Sequence, residues 1–440
     1  MKVLIRIINA LVVFLTANMF SIYIIRERWY LIVVLFACFV LINIFSSIHN
    51  SKCPTIRLRI CGDGCELLMI FLISSFLSGI YFIVTAYWMH PNFVSTLISL
   101  IAMIMIELFV FWNGIIRVYC TSAQLGIKWR LIGIIIGWIP LVNLIVLLKI
   151  IHVASREANF ESEKIITNKK RENSQSCCTK YPLLLVHGVF FRDSKYFDYW
   201  GRIPKELKKN GAVIYYGNHQ SAASVIDSGK ELAERIRQIV EETGYGKVNI
   251  IAHSKGGLDC RYAISKLGIE EYIASLTTVN TPHHGCLFAE HLLSKIPEST
   301  QNFIAKRYNA TLKRFGDSNP DFLAAVKDLT ASSCRQLNAT VFDIPSVFYQ
   351  SVGSILNTAS NGRFPLNYSY PLVKYFDGAN DGLVSVNSFG WGEKKIILTN
   401  KSRRGISHGD LIDLNRENID GFDVREFYVN LVYDLKKRGF

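Results

Sequence analysis

The stretch that decides the fold of this chain is "VNIIAHSKGGLDCRYAI", residues 248–264. Its first residues have the apolar pattern of a buried strand, and a helical pattern begins at Lys255. Between the two lies Ser254, with Ala252 two residues before it and Gly256 two residues after it. A strand that turns directly into a helix through a serine brings these two neighbours very close, so only small side chains fit. We therefore predict that Ser254 is a nucleophile on a sharp turn. A capping serine is the alternative, but it does not explain the small neighbours.

Strand and helix patterns alternate on both sides of this stretch. Strand-like runs lie at 181–186, 212–217, 247–253 and 273–280, and helical patterns lie at 198–210, 225–244 and 255–268. A continuous apolar run such as "YPLLLV" is typical of a strand that is buried on both faces. Strands separated by helices predict an α/β fold with a mostly parallel, doubly wound sheet and a functional site at the carboxyl ends of the strands.

A serine nucleophile needs a base, a group that orients the base, and donors for the oxyanion. His408 follows the strand-like run 394–399 and precedes the last helical pattern, which is where the base is expected in the chain order serine, acid, histidine. We therefore predict His408 as the base. The other downstream histidines lie on an early, crowded loop or in an amphipathic segment: His283, His284 and His291.

The acid that orients the base is expected between Ser254 and His408, and "DGANDGLVSVNS", residues 377–388, offers two aspartates. Asp381 lies in an Asn-Asp-Gly turn directly before an apolar run, and we favour it. Asp377 remains the alternative.

The oxyanion donors are expected to be backbone N–H groups beside the nucleophile. Gly188 ends the first strand and lets the chain turn, so that the N–H of Val189, or that of Phe190, faces the site. Lys255 supplies the second N–H at the start of its helix. His187, next to this turn, is interpreted as a structural residue.

The first third of the chain is much more apolar than the rest. Half of the 440 residues are hydrophobic and only 19% are charged, and the charged residues are sparse before residue 151. Five apolar runs have about the length that a helix needs to cross a bilayer: 3–25, 30–48, 67–89, 93–116 and 131–151. We predict an all-α transmembrane domain with about five spans over 1–151, a linker over 152–180 and a catalytic domain over 181–440.

Lysine and arginine in the short loops predict the orientation. The loops 49–66 and 117–130 are basic and lie on the side of the N-terminus, which we therefore predict to be cytoplasmic. With five spans, the chain is a multi-pass cell-membrane protein whose catalytic domain lies on the outer side of the membrane. Arg26 and Arg28 in the first outer loop argue against this orientation. Glu107, within the fourth run, is either a functional carboxylate or a group paired with a polar neighbour, and we favour the pairing.

The remaining composition argues against two other classes of protein. The net charge is +14, but no basic stripe is interleaved with aromatic residues, so we predict no nucleic-acid partner. Ten cysteines include no CxxC pair and no histidine at zinc spacing, so we predict no metal cluster. The cysteines of the globular part are either free thiols or include one bridge: Cys260, Cys286 and Cys334.

Several motifs together resemble the bacterial triacylglycerol lipases of the α/β-hydrolase superfamily. They are "LLLVHGVFF", "YWGRIPKEL", "IIAHSKGGLDCRYA", "TVNTPHHG", "NDGLVS" and "SHGD", and they extend over essentially all of 181–440. The resemblance implies an α/β-hydrolase fold and hydrolysis of carboxylic esters of lipids through an acyl-enzyme. In this resemblance Ser254 is the nucleophile, His408 the base and Asp381 its partner. It also implies a mobile lid.

A lid candidate is visible in the insertion at about 286–340. Within it, apolar residues recur at helical spacing and basic residues take other positions: Ile304, Tyr308, Leu312 and Phe315, against Lys306, Arg307, Lys313 and Arg314. This pattern predicts an amphipathic helix that covers the site and opens on lipid. An ordinary surface helix is the alternative.

Two features depart from the family pattern. Lipases of this group often hold a structural Ca²⁺ through an aspartate two residues after the histidine, which Asp410 matches, but no acidic residue lies around 355–365. A structural calcium ion therefore remains an alternative without support from the sequence, and we predict no required cofactor. The membrane domain lies outside the resemblance. We expect a lipid ester and a membrane as partners. A phospholipase or acyltransferase acting on envelope lipids, and a catalytically silent membrane module, remain as alternatives.

Overall fold

The computed structural model describes residues 2–46, 53–89, 92–139, 141–189 and 198–440. The chain forms two compact units, Met1–Lys170 and Arg171–Phe440. Phe190, the alternative oxyanion donor, lies outside the described residues.

The described part of the first unit is helical. Its helices are α1 (Lys2–Ala17), α2 (Tyr23–Arg26), α3 (Trp29–Ile44), α4 (Ile56–Met89), α5 (Phe93–Thr121), α6 (Gly126–Ile136) and α7 (Val142–Arg171). By length and composition, two helices among the described residues are able to cross a membrane, within Ile56–Trp88 and Phe93–Thr121.

The five predicted spans are therefore not confirmed. The first two runs form helices of 16 residues, α1 and α3. At about 1.5 Å per residue such a helix is shorter than the roughly 30 Å of a hydrocarbon core. The fifth run is divided between α6 and α7, and α7 continues through residues 152–171 of the predicted linker.

Glu107 is buried in α5 and is held by hydroxyl groups of α4. Its carboxylate accepts hydrogen bonds from Ser74 and Ser75, each at 2.9 Å, and from Ser78 at 3.3 Å. These bonds satisfy a polar group that would otherwise be costly inside an apolar helix pair.

The second unit is built on a six-stranded sheet in which every neighbouring pair is parallel, in the order β2-β1-β3-β4-β5-β6. The strands are β1 (Leu183–Val186), β2 (Ile214–Tyr216), β3 (Val248–His253), β4 (Ile273–Val279), β5 (Phe348–Ser354) and β6 (Lys394–Leu398). The helices are α8 (Ile203–Lys209), α9 (Val225–Thr243), α10 (Lys255–Lys266), α11 (Leu287–Lys295), α12 (Glu298–Arg314), α13 (Phe322–Lys327), α14 (Ala331–Thr340), α15 (Leu366–Asp377), α16 (Val386–Phe389) and α17 (Val424–Lys437). The predicted parallel α/β sheet is confirmed.

Both faces of the sheet are buried because helices pack against each side, and β1 is apolar on both faces. In β1, Leu183 and Leu185 join one core cluster, with residues of α8 and α17, whereas Leu184 and Val186 join the other, with residues of α9 and α10. Successive side chains of a strand point to opposite faces, so a run without polar residues fills both clusters. Burial of each such side chain stabilises the fold by roughly 1.5–3 kcal/mol. The carboxyl ends of the central strands are thereby held in fixed positions.

All ten cysteines are free thiols. This outcome matches one of the two interpretations of Cys260, Cys286 and Cys334, each of which is buried.

Candidate active site

Ser254 lies on the sharp turn between β3 and α10. Its backbone has φ 55° and ψ −130°, a left-handed conformation that costs a non-glycine residue roughly 1–3 kcal/mol. Two hydrogen bonds hold the turn: the Ser254 N–H donates to the Val279 carbonyl at 2.8 Å, and the Thr281 hydroxyl donates to the Ser254 carbonyl at 2.7 Å. The sheet and the loop after β4 thus hold the serine in this conformation.

The glycine two residues after Ser254 is required by the backbone that directly follows β1. A Cβ added to Gly256 would overlap the carbonyl oxygen of His187, so this position admits only glycine without a backbone shift. A Cβ on Gly188 would lie 2.8 Å from the Cβ of Ser254. Ala252 is fully buried in β3, where its methyl group is accommodated. The alanine in the small-residue frame is therefore compatible with the turn.

His408 and Asp381 are in direct contact. Nδ1 of His408 lies 2.6 Å from Oδ2 of Asp381. The other carboxylate oxygen of Asp381 accepts the N–H groups of Leu383 and Val384, each at 2.8 Å, and the aspartate is fully buried. Asp377, the alternative acid, instead accepts the Phe288 N–H at 3.4 Å. Of the two candidates, the structure brings Asp381 to the histidine.

Ser254 and His408 line the same cavity, and Val189 lines it beside them. Within the described ranges, neither the Val189 N–H nor the Lys255 N–H donates to a protein acceptor. The Lys255 side chain is buried, with its ammonium group 2.6 Å from Oδ1 of Asp259. Lys255 can therefore offer the site its backbone N–H and not its charge.

The other histidines near the site have structural contacts. His187 is buried, its ring nitrogens lie at hydrogen-bond distance from the Gly188 and His219 carbonyls, and its ring stacks on His219 with centroids 3.9 Å apart. His283 contacts the Thr278 hydroxyl at 2.9 Å and stacks on Trp391. Burial holds the pKa of His283 well below its ordinary value, which keeps its ring neutral.

Two further residues at the site received no role in the sequence analysis. Tyr199 lines the cavity, and its hydroxyl lies 2.7 Å from Nδ1 of His253, the residue directly before Ser254. Both residues occur within the quoted motifs "YWGRIPKEL" and "IIAHSKGGLDCRYA". For His253 the available signal was a polar side chain at the end of a mostly apolar strand-like run, whereas the polar stretch 198–210 gave no such signal for Tyr199.

The cavity above Ser254 has a volume of about 450 Å³ and a mostly apolar wall. Much of the wall comes from α11–α13 and from the loop before α15: Leu292, Leu293, Ile296, Ile304, Leu323, Val326, Phe364 and Pro365. In α12, Ile304 lines the cavity and Leu312 is buried, whereas Tyr308 is exposed, as is Phe315 directly after the helix. An apolar cavity beside a serine is suited to a hydrocarbon chain.

The residues around Asp410 do not fit a calcium ion. One carboxylate oxygen accepts the Arg404 guanidinium at 2.8 Å, and the other accepts the Ser407 N–H at 2.8 Å. The same guanidinium lies 2.9 Å from Glu417. Among the described residues, no group of three or more histidine, cysteine or acidic side chains is arranged to hold a metal. The Arg404 guanidinium already neutralises Asp410, so this carboxylate is not available to a calcium ion.

Comparisons with known proteins agree with the fold observed in the second unit. Residues 181–342 match the family model of the alpha/beta hydrolase fold. The chain is 32% identical over 172 residues to a triacylglycerol lipase of Pseudarthrobacter phenanthrenivorans, covering 36% of this chain and 53% of the relative. It is 24% identical over 318 residues to triacylglycerol lipase 2 of Saccharomyces cerevisiae, covering 68% of this chain and 88% of the relative. The chain thus spans about half the length of the first of these two relatives.

A similar solved structure is the Staphylococcus hyicus lipase. The match has 17% sequence identity and a TM-score of 0.46, and it covers 59% of this chain and 97% of the lipase chain. From the family match and the observed sheet, the second unit has the α/β-hydrolase fold.

Proposed function

We propose that the second unit is a serine hydrolase that cleaves carboxylic esters of lipids through an acyl-enzyme. The observation that carries this proposal is the position of Ser254, on a strained turn at the wall of the apolar cavity that His408, the partner of Asp381, also lines. The matches to triacylglycerol lipases support a lipid ester as the substrate.

In the proposed reaction, the Ser254 hydroxyl attacks the acyl carbonyl carbon while Nε2 of His408 takes its proton. Asp381 accepts the Nδ1–H of His408, which keeps the lone pair on Nε2 available and stabilises the imidazolium. The oxyanion of the tetrahedral intermediate accepts the N–H groups of Val189 and Lys255. The C–O bond then breaks, His408 returns the proton to the departing alcohol, and water hydrolyses the acyl-enzyme by the same steps.

The apolar wall supports a hydrocarbon acyl chain as the substrate group that occupies the cavity. Because α11–α13 supply a large part of that wall, we propose this segment as the lid. A lid that opens on lipid gives faster turnover of aggregated ester than of dispersed ester at equal total concentration. Equal rates in the two states would contradict the lid.

We also propose that the chain is a multi-pass cell-membrane protein with its catalytic unit outside. The two long apolar helices of the first unit support membrane association. Cys178 is exposed, whereas burial raises the pKa of the neighbouring Cys177 to about 12, so Cys178 is the suitable probe. A membrane-impermeant maleimide applied to intact cells should label the wild type more than Cys178→Ser. If the wild type and Cys178→Ser are labelled equally in intact cells and differ only after lysis, the catalytic unit lies on the cytoplasmic side.

A phospholipase or acyltransferase is the second candidate, because a membrane-anchored site would lie close to phospholipids. The test compares hydrolysis of triacylglycerol, phospholipid and p-nitrophenyl esters of increasing chain length by the wild type and by Ser254→Ala. We expect Ser254-dependent release of fatty acid, with long acyl chains preferred. Cleavage of phospholipid alone, or acyl transfer to an added alcohol in place of hydrolysis, would favour the second candidate. No Ser254-dependent turnover of any ester would favour a silent module.

A further inference from the structure

A buried hydrogen-bond chain connects the three backbone segments that carry the groups of the proposed reaction. Tyr199 accepts the Gly188 N–H at 3.0 Å, and its hydroxyl lies 2.7 Å from Nδ1 of His253. Nε2 of His253 in turn lies 3.3 Å from the backbone carbonyl of His408. Both side chains are almost fully buried, with 2% and 1% of Tyr199 and His253 exposed.

The direction of each hydrogen bond follows from its partners. A carbonyl oxygen only accepts, so Nε2 of His253 carries the proton that faces His408. Nδ1 of the neutral ring then has a lone pair, and the Tyr199 hydroxyl donates to it. The Tyr199 oxygen is left to accept the Gly188 N–H, which is a donor only. Burial holds the pKa of His253 well below its ordinary value, in agreement with a neutral ring.

This chain touches every segment on which the proposed reaction depends. Gly188 precedes Val189, so an N–H that is engaged by Tyr199 fixes the turn and leaves the next N–H for the oxyanion. His253 directly precedes Ser254. The His408 carbonyl belongs to the residue proposed as the base. One tyrosine and one histidine thus tie the oxyanion turn, the nucleophile and the base to a common point.

We propose that Tyr199 and His253 are positioning residues for the hydrolase reaction, and that their hydrogen-bond chain sets the distance between the oxyanion donors, the nucleophile and the base. The proposal rests on the proposed function. Misplacement of reacting groups by about 1 Å lowers rates by roughly a hundredfold, so loss of the chain affects the chemical step more than substrate binding.

The first test is Tyr199→Phe in the full chain. The ring that lines the cavity is retained, so KM should stay within about twofold while kcat falls roughly 10- to 100-fold. A trifluoromethyl ketone, which forms a tetrahedral adduct with a serine, should lose affinity by the same factor. The corresponding non-hydrolysable ether should bind as it does to the wild type.

The matched control is Tyr349→Phe. Tyr349 is also buried, and its hydroxyl also accepts a backbone N–H, that of Ile344 at 3.1 Å, but it lies at the start of β5. Removal of the Tyr349 hydroxyl should lower thermal stability about as much as Tyr199→Phe does, and it should leave kcat unchanged. Equal kcat values for the two variants would overturn the proposal.

Two substitutions of His253 separate its hydrogen bond with Tyr199 from its hydrogen bond with the His408 carbonyl. Asn places an acceptor near the position of Nδ1 and retains the bond from Tyr199, whereas Gln places a donor near Nε2 and retains the bond to His408. Each should restore part of the kcat that His253→Ala loses. If kcat of His253→Asn and kcat of His253→Gln are both no higher than kcat of His253→Ala, neither hydrogen bond contributes to the reaction.

The wild type distinguishes this proposal from the proposed function. A wild type that shows no Ser254-dependent ester hydrolysis would remove the proposed function and the positioning roles with it. A wild type that hydrolyses esters, with Tyr199→Phe equal to Tyr349→Phe, would remove the positioning roles alone.

Discussion

His408 is joined to Asp381 by two hydrogen bonds. Its ring Nδ1 lies 2.6 Å from the carboxylate Oδ2, and its backbone N–H donates to the Asp381 carbonyl at 2.8 Å. The ring and the main chain of the base are thus both fixed to one residue, which the N–H groups of Leu383 and Val384 orient in turn. A base held in this way keeps its Nε2 on the side of the ring away from the acid.

The first prediction separates the two candidate acids. Asp381→Asn should lower kcat by roughly 10³–10⁴, because the amide favours the wrong tautomer of His408, while the fold is retained. Asp377→Asn is the matched control, and its kcat should stay within about twofold of the wild type. Steady-state kinetics on one p-nitrophenyl ester measures both. The opposite ranking of the two variants would assign the acid to Asp377.

The second prediction concerns the small-residue frame of Ser254. Gly256→Ala forces a Cβ onto the His187 carbonyl, so we expect the specific activity to fall at least tenfold with a lower midpoint of thermal unfolding. Ala252→Gly only removes a methyl group and should cost about 1 kcal/mol of stability or less, with activity retained. A Gly256→Ala variant that keeps the wild-type activity would contradict this prediction, because the turn at Ser254 would then accommodate the added methyl group.

The third prediction tests whether the cavity holds the acyl chain. Val326→Trp places a large side chain in the wall, so kcat/KM for a dodecanoyl ester should fall at least tenfold relative to the butanoyl ester. Lys306→Trp, on the exposed side of α12, is the control and should leave this ratio unchanged. A parallel loss for short and long esters in Val326→Trp would place the acyl chain elsewhere.

The fourth prediction is a loss of stability at mildly acidic pH. His253 and His283 have pKa values well below 6.5 because burial disfavours the charged ring. Unfolding releases both rings to a pKa of about 6.5, so below that pH the unfolded chain binds protons that the native chain does not. Each histidine should lower the free energy of unfolding by about 1.4 kcal/mol between pH 7.5 and 5.5.

Chemical unfolding monitored by tryptophan fluorescence at several pH values measures this loss. His283→Gln should remove one histidine's share of the pH dependence, whatever its effect on stability at pH 7.5. An unchanged pH dependence in this variant would mean that the pKa of His283 is the same in the native and the unfolded chain, which would contradict the prediction.

The fifth prediction concerns calcium. Because Arg404 already pairs with Asp410, EDTA should leave both the hydrolysis rate and the unfolding midpoint unchanged, and added Ca²⁺ should not raise either. Arg404→Gln should lower the unfolding midpoint, because it leaves the nearly buried Asp410 without its cation. Inactivation of the wild type by EDTA, with recovery on adding Ca²⁺, would contradict this account.

Local patterns predicted the central elements of the catalytic unit. The strands β1, β3 and β4 are buried along their whole length. β1 appears in the sequence as an unbroken apolar run, β3 and β4 are mostly apolar or β-branched, and the turn at Ser254 is marked by its small neighbours. Chain order predicted that an acid between Ser254 and His408 contacts the base. It left two aspartates, Asp377 and Asp381, and the structure brings Asp381 to His408.

Other features depend on contacts that no local pattern contains. β5 carries the polar residues Gln350 and Ser351 inside the sheet, so its run does not read as a buried strand. The roles of Tyr199 and His253 depend on side chains 54 residues apart. The division of the fifth apolar run between α6 and α7 falls within a continuous hydrophobic segment, where hydropathy gives no boundary.

The most direct test of the central claim is covalent labelling of Ser254 by a fluorophosphonate, read by intact-protein and peptide mass spectrometry. The account predicts one adduct per chain, located on Ser254, with labelling that is abolished in Ser254→Ala and slowed at least a hundredfold in His408→Ala. The wild type remaining unlabelled, or carrying the adduct on a different residue, would contradict the assignment of Ser254 as the nucleophile.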